Sequence, residues 1–273
     1  MPESDSPRVE SCDLCIVGAG IAGLNALFAA SRYLSRDQKM ILIDRRSRPG
    51  GMWVDVYSYV RLHQPHPMFA AGNIEWTLGQ DRPHLATKRE VLDHFRHCVD
   101  VLAERVRVDE YFGWEFESQD EVNGVVRATC RGADGRMLVV EAKQLIKAYG
   151  LAITPNEPLA ISSERVHSVS PDYCDLRSGD IRESRAPVWI IGGGKTAMDT
   201  AHALITAYPG RQVNLVAGRG LSSPAETASY RAVPGDGGRA QCRALWPHNW
   251  VAGSTARTNL RFRTGTAQPM ART

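Results

Sequence analysis

With 273 residues, 43% of them hydrophobic, the chain has room for two domains of ordinary size and is too apolar for a disordered one. Its formal charge of +3 arises in residues 237–273, which carry six arginines and no acid; the remainder holds 27 basic against 30 acidic residues, which excludes the electrostatic footprint of a nucleic-acid-binding protein. No window is long and apolar enough to span a membrane, and residues 1–9 are polar with no apolar leader, so the expected location is the cytoplasm.

The first predicted element is a short strand, Asp13-Leu-Cys-Ile-Val17, running straight into Gly18-x-Gly20-x-x-Gly23 and an apolar helix over 21–34. Each glycine has its own physical reason. Gly18 permits the tight turn, Gly20 lets the backbone approach a diphosphate closely, and Gly23 allows the helix to pack on the strand. The helix N-terminus supplies free N–H groups and positive dipole. A second strand, 40–44, ends in Asp44, about twenty residues beyond the last glycine, where an acid would hold a ribose. Cys12 and Cys15 have redox-motif spacing but lie in the first strand, so they read as buried strand cysteines; no second pair or nearby histidine completes a metal site.

After Asp44 comes a basic, glycine-rich loop containing Arg45, Gly50, Gly51 and Trp53; paired glycines let the chain pass close to a flat ligand, and Trp53 could cover one face of it. Residues 57–68 are irregular and aromatic, with His63 and His66 but no carboxylate at ligand spacing, so no metal is expected there. Thr87-x-x-Glu90 is a capping box opening an amphipathic helix. Three strands follow, 114–118, 125–130 and 137–142, with hairpin turns at Asn123-Gly124 and Asp134-Gly135. A further strand, 144–150, ends in Ala148-Tyr-Gly150, and 151–186 reads as a loop-rich crossing between domains.

The strand 187–191 then repeats the opening pattern as Gly192-x-Gly194-Lys195-Thr196-Ala197, with alanine in the third glycine's place, a helix over 196–208 and a strand over 212–216. Arg219 lies 27 residues after Gly192, as Asp44 lies 26 after Gly18. A carboxylate accepts ribose hydroxyls while an arginine suits a 2′-phosphate, so the first site is expected to hold FAD (or NAD) and the second NADP. A solvated strand-end charge is the other reading of Arg219.

Two dinucleotide fingerprints in one chain resemble the flavin-dependent monooxygenases, including the flavin-containing and Baeyer–Villiger members. The resemblance covers residues 10–220 and rests on Gly18-x-Gly20-x-x-Gly23, Asp44, Gly50-Gly51-Met-Trp53, Ala148-Tyr-Gly150 and Gly192-x-Gly194-x-x-Ala197 with Arg219. It implies an α/β protein: a Rossmann-like FAD-binding domain over 10–160 with a three-stranded β-meander, then the start of a second Rossmann-like, NADP-binding domain over 187–219. The implied cofactors are FAD and NADP, and the implied partners a small organic substrate and O2. The implied chemistry is oxygen transfer through a flavin C4a-peroxide, with few protein catalytic residues. The chain departs from the pattern at Ile161–His167, where only His167 matches the family's F-x-G-x-x-x-H, and at His63, which takes the place of an asparagine beside the flavin.

Residues 220–273 change character: acids stop at Asp236, lysines are absent, and no strand or helix period is evident. The expectation is an irregular tail, translated out of frame or disordered. The alternative function is accordingly a truncated flavoprotein remnant that binds FAD without completing turnover. Substrate and oligomeric state are left open by these residues.

Overall fold

A computed structural model describes residues 6–150, 154–176, 179–217, 230–234, 240–244 and 261–262. The chain divides into two units, residues 1–56 with 64–155, and residues 57–63 with 156–273.

The first unit is built on a six-stranded sheet of order β3-β2-β1-β6-β5-β4. Its elements are β1 (Arg8–Val17), α1 (Ile21–Ala30), β2 (Lys39–Asp44), α2 (Lys88–Ala103), β3 (Arg107–Phe112), β4 (Trp114–Val122), β5 (Val125–Gly132) and β6 (Met137–Lys147). Strands β3, β2, β1 and β6 are parallel, whereas β6, β5 and β4 form an antiparallel meander. Leu14-Cys-Ile-Val17 pairs in register with Met40–Ile43, two unbroken apolar runs of the kind found where both sheet faces are covered. One buried cluster joins Cys12, Cys15, Val17, Ile41 and Ile43 with Cys130, Leu138 and Val140 of the meander. Ile16 lies under Gly23 of α1, and α1 packs against α2. Each fully buried Leu, Ile or Phe of such a core contributes roughly 1.5–3 kcal/mol.

Several expectations are corrected. The strand placed at 144–150 is no separate element: no turn residue interrupts Ala142-Lys-Gln144, so β6 runs on, pairing with Arg8–Cys12 of β1 through its first half and with Leu14–Val17 through its second. Helix α1 stops at Ala30 instead of Leu34. Strand β3 was hidden in the sequence because Arg107, Asp109 and Glu110 mask its alternation. The hairpin at Asn123-Gly124 has both residues at positive φ, +53° and +77°, as a tight turn of that type requires.

The second unit contains α3 (Gly179–Glu183), β7 (Val188–Ile191), α4 (Lys195–Ala207) and β8 (Val213–Val216), the last three forming a parallel β–α–β unit. Its core joins Ile190, Ala197, Ala201, Leu204, Val213 and Leu215 with Leu176 and Ile181. The latter two come from the stretch expected to be a loop-rich crossing; it contributes to the core directly. Within the region expected to be irregular, β9 (Tyr230–Pro234) and β10 (Ala240–Ala244) form an antiparallel pair, and β11 (Arg261–Phe262) adds to β8 in parallel. Among the described residues no helix is long and apolar enough to cross a membrane.

Candidate functional site

The first cradle is the turn from β1 into α1. Gly18 adopts φ +108°, and a Cβ there would lie 2.6 Å from the Ala148 carbonyl oxygen, so only glycine lets the turn pass the end of β6. Its N–H donates to the Ile43 carbonyl at 2.7 Å. A Cβ on Gly23 would fall 1.7 Å from the Gly18 oxygen, the close helix–strand approach expected of the third glycine. Gly20 caps α1 with no capping side chain and no acid in the first turn, which leaves the helix N-terminus to an anionic ligand.

Asp44 closes this cradle. It is 5% exposed, and its Oδ2 accepts the Ala19 N–H at 2.7 Å while Oδ1 accepts the Arg46 N–H at 2.9 Å. Each oxygen keeps lone-pair capacity for a ribose hydroxyl. Arg46 in turn donates from Nε to Asp55 at 2.7 Å. Arg45 is exposed, 3.9 Å from Glu115, and borders a cleft of about 530 Å3 also lined by Arg46, Ser47, Asp55 and Arg131.

The paired-glycine loop docks directly on the first turn. The Gly50 N–H donates to the Ala19 carbonyl at 2.9 Å, and Gly51, at φ +53°, is so close that a Cβ would lie 2.8 Å from the Gly20 Cα. Trp53 follows in a single 3-10 turn, its ring 5.9 Å from that of Phe69. Lys88, the first residue of α2, ties the loop down by donating to the carbonyls of Val54 (3.0 Å) and Val56 (2.6 Å). Gly150 is exposed at φ +67°, with no described residue within 4 Å of where its Cβ would be. His63 is exposed on the 57–63 segment, which belongs to the second unit.

The second cradle repeats the first. Gly192, at φ +138°, donates its N–H to the Val216 carbonyl at 2.8 Å, and Gly194 caps α4 without a capping side chain. Among the described residues a Cβ at Gly194 would meet nothing within 4 Å, so none of them blocks the approach to the helix N-terminus. Ala197, at the third position, sits at ordinary contact distance from Gly192. Lys195 forms an ion pair with Asp199, and Thr196 accepts through its carbonyl the Thr200 hydroxyl at 2.7 Å. Arg219 lies outside the described residues. Sequence reasoning missed Tyr57 and Tyr59, whose rings lie tilted against each other at 4.6 Å and whose hydroxyls pair with Asp199 (3.0 Å) and Thr200 (2.9 Å). Nothing in the spacing of residues 57–59 indicates that they pack on a helix about 140 positions away.

The cysteines fit the reading as strand and helix residues. Cys12, Cys15, Cys98 and Cys130 are buried, and burial pushes the thiols of Cys12, Cys98 and Cys130 up to about 12 and that of Cys15 further. None of these four is poised as a thiolate.

A family model described as pyridine nucleotide-disulphide oxidoreductase matches residues 12–228. The chain belongs to this family. Among solved structures, the chain is similar to a flavin-containing monooxygenase from Stenotrophomonas maltophilia (18% identity, TM-score 0.54, covering 77% of this chain and 59% of that one). It is also similar to a bacillithiol disulfide reductase from Bacillus cereus (17% identity, TM-score 0.57, 80% and 63% covered). Both likenesses establish the shared fold. A curated relative, an uncharacterized protein of Mycobacterium tuberculosis, is 26% identical over 211 residues, 72% of this chain and 36% of the relative. The chain thus spans about a third of the curated relatives it matches.

Proposed function

We propose that the chain is an FAD-dependent oxidoreductase that uses NADPH, with monooxygenase-type oxygen transfer to a small organic substrate. One observation carries the reading: two glycine cradles of the same backbone geometry, the first closed by a buried carboxylate, Asp44, bonded to the cradle itself. Asp44 and the uncapped N-terminus of α1 would hold the adenosine ribose and diphosphate of FAD, and the loop Gly50–Trp53 would lie beside them. Gly194, Lys195 and Thr196 would receive the diphosphate of NADP, with Arg219 the candidate for its 2′-phosphate. Bound FAD supplies the hydride and oxygen chemistry; the protein's share is binding, orientation and exclusion of water.

The fold is equally that of a disulfide reductase, and thiol chemistry is the second reading. Cys12, Cys15, Cys98 and Cys130, buried and held protonated, weigh against it at their own positions, because exchange requires an accessible thiolate; Cys174 is partly exposed. The test is made on the purified full chain reconstituted with FAD. The expected outcome is a yellow protein that NADPH bleaches under anaerobic conditions and that consumes O2 on re-aeration. Retained flavin that NADPH does not bleach supports the remnant that binds without turnover. Failure to take up FAD at all refutes the reading.

A further inference from the structure

Lys195 stands where helix electrostatics disfavour a cation. It is the first residue of α4, facing the positive end of the macrodipole, and the Lys-before-Asp order is the weaker orientation of an i,i+4 pair. Its place is nonetheless held. Asp199 Oδ2 takes the Lys195 ammonium, and the same oxygen accepts the Tyr57 hydroxyl at 3.0 Å.

The two halves of this ion pair differ in freedom. Asp199 is 13% exposed and Lys195 27%. Asp199 is held by Tyr57, whose ring lies tilted against that of Tyr59; the Tyr59 hydroxyl pairs with Thr200, the next residue of α4. Burial keeps the Tyr57 phenol protonated, with its pKa raised, so it remains a donor. Lys195 has a flexible four-carbon stem and stands beside Gly194, whose missing Cβ no described residue approaches within 4 Å.

We propose that Lys195 is a latch on the second cradle, paired with Asp199 in the absence of ligand and transferred to the dinucleotide diphosphate when it binds, while Tyr57 keeps the half-buried Asp199 hydrogen-bonded. This rests on the reading that the second cradle takes a nicotinamide dinucleotide. It adds that Asp199 competes with the ligand for the lysine, so part of the affinity is spent on opening the pair. The ligand group is the diphosphate common to NADP and NAD, since α4 presents its N-terminus there and not to the distal ribose.

The test is calorimetric titration of the FAD-saturated full chain with NADP+ and with NAD+, at several salt concentrations, alongside thermal melts. Lys195→Gln is expected to weaken both ligands by about tenfold and to flatten the salt dependence, because a screened charge contact is lost. Asp199→Asn is expected to tighten both by about threefold, since the lysine is released from its competitor. Tyr57→Phe leaves Asp199 to the lysine alone and is expected to weaken both. A merely structural role for the ion pair predicts the reverse sign for Asp199→Asn. Wild-type protein that binds neither dinucleotide overturns the parent reading and the latch together. Wild-type binding with Lys195→Gln unchanged, or with Asp199→Asn weaker, overturns the latch alone. A loss in Lys195→Gln confined to NADP+ overturns the assignment to the diphosphate.

Discussion

Gly20 and Gly194 leave their strands in almost the same conformation, φ −82°, ψ −173° and φ −84°, ψ −178° respectively, each capping a helix that no side chain caps. The two turns differ in what the third position tolerates. A methyl group at 23 would collide with the Gly18 carbonyl, whereas Ala197 already carries one at the equivalent place. Gly23→Ala is therefore expected to push α1 off the sheet, at a cost of about 1–3 kcal/mol or more, and to abolish flavin retention. Ala197→Gly is expected to cost only about 1 kcal/mol, through helix propensity. Thermal melts and flavin content of the two variants check the contrast; equal losses would refute it.

Asp44 holds the cradle together and, in the proposed reading, its ligand as well. Its carboxylate satisfies two backbone N–H groups, one of them in the glycine turn. Asp44→Ala strands both donors, each worth about 1–3 kcal/mol when left buried and unpaired. Stability and FAD affinity should fall together, measured by denaturant unfolding and by flavin titration. A variant that loses FAD with full stability would mean that these N–H groups find other partners.

The spacing of Gly18, Gly20, Gly23 and Asp44, and its echo at Gly192 and Gly194, made both cradles legible because a strand-to-helix turn that opens at positive φ, as at Gly18 and Gly192, calls for glycine. The capping box at Thr87 and Glu90 was legible for a similar local reason, and both of its hydrogen bonds form. Long-range packing left no such mark. Tyr57 and Tyr59 find Asp199 and Thr200 across the sequence, and Leu176 and Ile181 reach a core from a stretch without periodicity. The continuity of β6 was missed because a strand has no signal for its own length beyond the absence of a turn.

Acid should destabilise the first unit through His94. The ring is 2% exposed, stacked on Trp76 at 3.9 Å, with Cys98 Sγ 3.4 Å from Nε2. Burial, aided by His97 and His66, lowers its pKa from 6.5 to about 4. The unfolded chain therefore binds more protons between these values, and the stability of the neutral native form is lost as pH falls from about 6.5 to 4, by up to about 3 kcal/mol. Glu10, held at about 2 by Lys39 and Arg8, acts in a lower window, from about 4.5 downward. Denaturant unfolding of wild type and His94→Phe between about pH 7 and 4.5 separates the two: the variant should lose the His94 share of the slope and keep only what His202, also lowered by burial, contributes. Parallel curves would rule His94 out as the cause.

The buried thiols offer a direct comparison of oxygen transfer with thiol exchange. At about pH 8 the native chain should leave Cys12, Cys15, Cys98 and Cys130 unmodified by an alkylating reagent, with all four reacting after denaturation, as read by peptide mass mapping. Rapid labelling of Cys12 or Cys15 in the folded protein, made faster by NADPH, would favour the disulfide-reductase reading.

Lys88 invites comparison with Lys195, since both open a helix. Lys195 is held by a carboxylate, whereas Lys88 is held by the carbonyls of Val54 and Val56, with burial lowering its pKa. Those carbonyls end the loop that begins at Gly50, where a Cβ would strike Leu92 of the same helix. Helix α2 thus fixes the loop at both ends, through packing at Gly50 and through hydrogen bonds at Val54 and Val56. Lys88→Met preserves the stem and removes the donors, at about 1–3 kcal/mol for carbonyls left unpaired. It should lower the melting temperature by several degrees and raise the FAD dissociation constant severalfold, with Lys88→Arg recovering part of both. A melting shift without any change in FAD binding would confine Lys88 to stability and remove the loop's position from the flavin site.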